Sequence, residues 1–140
     1  MKYFNIAVIC TAIVLTGCCA GKDQSSPEAE MVYRRQGSEI IQAIADRDFE
    51  CYQRNGGDTS GIAAGNEFIL SCDDMESRMG KIENAEFITA LETPGVVNLV
   101  YRVNFCRKTS AGEKLKHQQL FQLVFGRVDG KPRLLGMRIM

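Results

Sequence analysis

Six cysteines and a single histidine, His117, are the side chains best suited to chemistry in this 140-residue chain. Their spacing decides which chemistry is open to them. No two cysteines form C-x-x-C, the spacing of a thiol–disulfide active site, and no paired C-x-x-C or H-x-x-x-H sets up a tetrahedral metal site. A metal could be held only by three scattered thiols plus His117, which their spacing does not support, so no metal and no cofactor are expected. His117 lies between Lys116 and Gln118 in a stretch of alternating polarity. Strict alternation groups it with Gln119 and Phe121, as a surface or pocket-rim residue rather than a general base. Asp73-Asp74 could pair carboxylates, but beside an apolar helical stripe they read as a solvated face. Asp46 and Asp48 read as helix-end residues. The chain has no G-x-S-x-G elbow, no P-loop and no G-x-G-x-x-G turn, so no catalytic residue is assigned.

The most informative cysteine follows a leader. Lys2 is basic, and Phe4 to Leu15 is apolar apart from Asn5 and Thr11. Such a run is too short to stay in a bilayer but suits a secretory signal. Leu15-Thr16-Gly17-Cys18 resembles the lipobox of bacterial lipoproteins. The resemblance implies cleavage before Cys18, a diacylglyceryl thioether on its sulfur and a further acyl chain on the new amine. Two or more chains anchor stably, at about 0.8 kcal/mol per buried methylene. The resemblance also places the folded body in a bacterial cell envelope. Cys19 stands where inner-membrane retention uses aspartate, which points to the outer membrane, facing the periplasm. Cys19 itself reads as a tolerated residue, the alternative being a second thiol near the lipid.

Removal of residues 1–17 leaves 123 residues, one domain's worth of chain. Residues 18–26 are small and polar and read as a flexible tether, with residues 27–140 as a single domain. Charge is unevenly divided. Residues 18–98 hold seven basic and fifteen acidic side chains, and residues 99–140 hold nine and two. An acidic helical part packed beside a basic sheet explains this; a face for anionic lipid or an acidic partner is the alternative. Nucleic acid is not expected as a partner, given the implied location and the lack of an aromatic-basic platform.

Ser26-Pro27-Glu28 is a helix start, with a hydroxyl cap, proline in the first turn and an acid facing the dipole. Tyr33, Gly37, Ile40, Ile41 and Ile44 continue at helical spacing to about Arg47. A short helix over Asp48–Arg54 carries Phe49. Glycines from Gly56 to Gly65 then interrupt the chain. Phe68, Cys72, Met75 and Met79 form a third helical stripe, closed by Gly80. Beyond Lys81 the period becomes two. Strands are expected over Ile82–Leu91, around Val97–Phe105, over Leu115–Val128 and over Leu134–Met140. Turns fall at Thr93-Pro94-Gly95, Thr109–Gly112 and Asp129-Gly130.

Helices followed by a four-stranded antiparallel meander make an α+β domain. Three places resemble the nuclear transport factor 2-like, or cystatin-like cone, fold. Ala43-Ile44-Ala45-Asp46-Arg47-Asp48-Phe49 resembles its first-helix ending, and Met79-Gly80-Lys81-Ile82 its passage from helix to sheet. Phe125 to Leu134 resembles its last hairpin, although Pro132-Arg133 stand where a tryptophan is frequent. The resemblance covers residues 27–140 and implies a cavity between helices and sheet. Some proteins of this fold are isomerases and dehydratases that work in that cavity with carboxylates, tyrosines or histidines. The corresponding candidates here are Tyr101, His117 and Glu86.

An exported protein meets oxidising conditions. Cys51 and Cys72 are the expected disulfide pair, closing a loop of about twenty residues for about 3 kcal/mol in the chain-entropy model. Cys106 is either free or an alternative partner for one of them. The resulting expectation is an envelope lipoprotein anchored in the bilayer through Cys18. Its domain would act without catalysis, binding an envelope protein or a small ligand. A small pocket enzyme and a structural subunit of an envelope complex are the alternatives.

Overall fold

A computed structural model of the protein describes residues 27–57 and 64–140. The leader, Cys18, Cys19 and the tether lie outside the described residues, as do Asp58 to Ala63. Three helices precede four strands: α1 (Pro27–Asp46), α2 (Phe49–Arg54), α3 (Ala64–Met79), β1 (Lys81–Thr93), β2 (Val96–Lys108), β3 (Lys114–Val128) and β4 (Lys131–Ile139). The strands form one antiparallel sheet in the order β1-β2-β3-β4. β1 and β4 are therefore the edges. Register shifts near Ile82/Asn84 and Phe87/Thr89 in β1, and at Leu135 in β4 opposite Val124/Phe125, interrupt otherwise regular ladders; such bulges bend a strand and raise its twist.

The helices lie on one face of this sheet. Alternation along β2 sends Val97, Leu99, Tyr101, Val103 and Phe105 to that face, and along β3 it sends Phe121, Leu123 and Phe125. All eight are buried. α1 supplies Tyr33, Ile40, Ile41 and Ile44 to the same core. Close approach is possible because Gly37 has no side chain. A Cβ there would stand 2.5 Å from the Tyr101 hydroxyl oxygen and 2.9 Å from Leu99 Cδ1. Tyr101 instead donates its hydroxyl proton to the Arg34 carbonyl at 2.7 Å. The Arg34 guanidinium sits 4.4 Å above the Phe87 ring, a cation–π contact.

α1 stops at Arg47, which adopts a left-handed φ of 56°, while the Asp48 N–H reaches back to the Ala43 carbonyl at 2.9 Å. Asp48 then caps α2, accepting from the Cys51 N–H at 2.9 Å. At the end of α3, Gly80 takes a φ of 93° and its N–H donates to Glu76 at 2.8 Å. β1 follows at once, so the C-terminus of α3 is tied to the β1 edge. The last hairpin turns through Asp129 and Gly130, both at positive φ (52° and 74°), as a two-residue primed turn requires. β4 begins at Lys131, three residues before the expected Leu134. Pro132 is tolerated because an edge strand need not donate on its outer side.

Candidate functional site

Among the described residues, two clefts between the helices and the sheet stand out. The larger, about 460 Å³, lies between α3 and the β4 edge, and its walls include Ile44, Tyr52, Phe68, Met75, Met137 and Ile139. α3 turns one face to it: Ala64, Glu67, Phe68, Ser71, Cys72 and Met75 follow helical spacing. The opposite wall is the helix-facing side of β4. Met137 and Ile139 belong there by register with Leu123 and Phe121, yet they remain 42% and 41% exposed. Tyr52 and Phe68 pack with ring centroids 4.6 Å apart, and Phe49 stands 5.7 Å from Phe68.

The smaller cleft, about 240 Å³, lies where the end of α1 meets α3 and the start of β1. Its charged side chains already have partners, Asp46 accepting from Gln42 Nε2 at 2.7 Å. Arg47 donates from Nε to Asp73 at 2.8 Å and from Nη2 to Glu76, and Lys81 stands 4.0 Å from Glu76. Glu83 meets Lys116 at 3.2 Å. Hydrogen bonds to Asp73 and then Glu76 raise the Arg47 pKa above its ordinary value. The guanidinium is thus a fixed clamp between the end of α1 and α3, which offsets a left-handed backbone that normally favours glycine.

Cys72 borders both clefts. It is buried, and burial pushes its thiol above the ordinary range, with Arg47 pulling the other way. The expected Cys51–Cys72 disulfide is not formed: Cys51, Cys72 and Cys106 are free thiols in this structure. Cys51 accepts a weak hydrogen bond from Asn55 Nδ2 at 3.5 Å, on its own side of the α2 turn. Cys72 is turned into the core beneath Arg47. Among the described residues, no group of three His, Cys, Asp or Glu could hold a metal ion. No helix among them is long and apolar enough to cross a membrane.

The three residues chosen by type do not come together, and none lines either cleft. Tyr101 is wholly inside the core, where burial raises its pKa. His117 is half-buried, its ring stacked on Phe105 at 5.3 Å with 13° between the planes. Glu86 is exposed on the opposite face of the sheet, accepting from Arg102 Nη1 at 3.2 Å. They are a core anchor, a stacked sheet residue and a surface ion pair. Residue type alone suggests them, and nonlocal packing separates them. The wall residues Glu67, Met137 and Ile139 are not singled out by sequence reasoning. Their signal lies in the α3 stripe and in the alternation Met137-Arg138-Ile139.

No family model matches the chain, and no curated protein does. Similar solved structures exist. Aln2 from a Streptomyces species superposes with a TM-score of 0.55 at 16% identity, covering 81% of this chain and 90% of Aln2. The fold is that of the nuclear-transport-factor-2-like α+β cone. An NTF-2 like protein of unknown function from Shewanella oneidensis aligns at 13% identity and a TM-score of 0.48, over 79% of this chain and 97% of that one. At such identities the likeness extends to the backbone and not to chemistry.

Proposed function

We propose that the protein is an envelope lipoprotein, anchored through Cys18, whose domain binds an apolar group in the α3–β4 cleft and performs no chemistry on it. The observation that carries this reading is the cleft itself, with Met137 and Ile139 left half exposed on the helix-facing side of the sheet. Leaving apolar surface in water costs about 25 cal/mol per Å², so an apolar occupant gains what the fold leaves unburied. Two methionines, Met75 and Met137, line it, and their flexible thioethers adapt to varied shapes. The volume falls within the range of small-ligand sites, about 300–1,000 Å³. A binding role is favoured over catalysis because Ile44, Phe68, Met75, Met137 and Ile139 make the wall mostly apolar. Its polar groups are Tyr52, Glu67 and Ser71, and Cys72 is held as a thiol.

Titration with a neutral apolar dye such as Nile red tests the cleft. One saturable site is expected, weakened about tenfold or more by Met137→Asp, which sets a charge on the apolar wall. Absence of saturable binding, or indifference to Met137→Asp, would remove the cleft from consideration. The anchor has its own test. Cys18→Ala should abolish incorporation of a radioactive fatty acid, and continued labelling would refute the lipobox reading.

A further inference from the structure

We propose that the α3–β4 cleft selects a single-chain amphiphile with a cationic head, of the alkylammonium type, and rejects anionic amphiphiles; this rests on the binding role argued above. The face that α3 presents to the cleft has two edges. Phe68, Cys72 and Met75 follow its core edge, while Glu67 and Ser71 are exposed on its solvent edge. An apolar chain lying against Phe68, Met75, Met137 and Ile139 therefore brings its polar end out beside Glu67.

Among the described residues, Glu67 is the one lining side chain charged at neutral pH. No described lysine or arginine lines the cleft to receive a carboxylate, sulfate or phosphate. Arg138 lies between Met137 and Ile139 in sequence, but strand alternation carries it to the other face, where it pairs in register with Gln122. The helical wall has the same sign. The three helices together hold nine acidic and four basic side chains, against Lys131, Arg133 and Arg138 on β4, none of which lines the cleft. A cation at the mouth is attracted by both the local carboxylate and the helical half; an anion is repelled by both. Glu67 also faces the positive end of the α3 dipole, so its removal must be read against the head group rather than against stability alone.

The experiment is equilibrium dialysis of the full chain against three probes that share one tail, each below its micelle concentration: dodecyltrimethylammonium, dodecyl maltoside and dodecanoate. The cation is expected to bind about tenfold or more tighter than the anion, the neutral probe between them, with the ratio shrinking in high salt. Glu67→Gln should collapse the cation-to-anion ratio to within about threefold while leaving the neutral probe unchanged, and Glu67→Lys should invert it. An unchanged ratio in Glu67→Gln overturns the proposal. Equal binding of all three probes, abolished by Met137→Asp, also overturns it while leaving the cleft as a binding site. Failure of all three to bind removes the cleft reading as well.

Discussion

Phe121 and Ile139 face each other across the β3–β4 ladder, on the same side of the same sheet. Phe121 has no exposed surface, while Ile139 is 41% exposed. The difference lies in what covers them. α1 lies close against the sheet, through Gly37 and the Tyr101 hydroxyl, and packs over β1 and β2, with Tyr33 reaching Phe125 of β3. α3 enters β1 directly through Gly80 and is clamped to the end of α1 by Arg47. Both ties hold it towards the β1 side, and β4 is the far edge of the sheet. One sheet face thus carries a closed core and an open cleft. The boundary is set by where a helix is fastened, not by a change in the strands' apolar character.

The sharpest way to break this comparison is to truncate both members of the facing pair. Phe121→Ala should cost about 3–5 kcal/mol, the usual range for a phenylalanine removed from a closed core. Ile139→Ala should cost about 1 kcal/mol or less, because much of its surface is in water already. Urea unfolding midpoints of the two variants measure this. Equal losses would mean that the cleft is closed in solution and that α3 covers β4.

Closure of the α1 half can be tested from the helix side. Gly37→Val places methyl groups where the Tyr101 hydroxyl and Leu99 already stand, and overpacking of this kind costs about 1–3 kcal/mol. Tyr101→Phe in the same chain should restore part of the loss by removing the nearest atom. A Gly37→Val protein as stable as the parent would show that α1 does not touch the sheet there.

Much of the closed half was legible in the sequence. The stripe Tyr33, Gly37, Ile40, Ile41, Ile44 and the alternation from Val97 to Phe105 are local periodicities, and burial follows them except at Val100, which is buried on the other face. Gly80 and Asp129-Gly130 were readable because their backbones need φ values that few residues adopt. The cleft was not legible, because it is a failure of two distant elements to meet. Met137 and Ile139 carry the ordinary signature of buried strand residues, and only the fastening of α3 leaves them open. The separation of Tyr101, His117 and Glu86 was not legible either. Their types suit chemistry, but the register of β1, β2 and β3 sends Glu86 to one face and Tyr101 and His117 to the other. The Cys51–Cys72 expectation rests on an exported location, shared helical surroundings and loop length, none of which says which way a thiol points.

The smallest expected effect lies at the boundary between the two halves and appears as a pH dependence. Cys72 borders the clefts, and Tyr101 sits under α1. Burial is the first cause raising both pKa values. The unfolded chain then gives up these protons first, near pH 8.5 for a cysteine and near 10 for a tyrosine. Between the unfolded and folded values the native state binds more protons, so stability falls as pH rises, with a slope bounded by one proton per group. The stabilisation is fully present below about pH 8.5. Unfolding midpoints measured from pH 7 to 11 should therefore be level at first and then decline in two stages. Cys72→Ala should remove the earlier stage and Tyr101→Phe the later one, whatever either substitution does to the level. A decline that begins only near pH 10 in the parent protein would mean that Cys72 is solvated. The open region would then extend past α3 into the core that α1 closes.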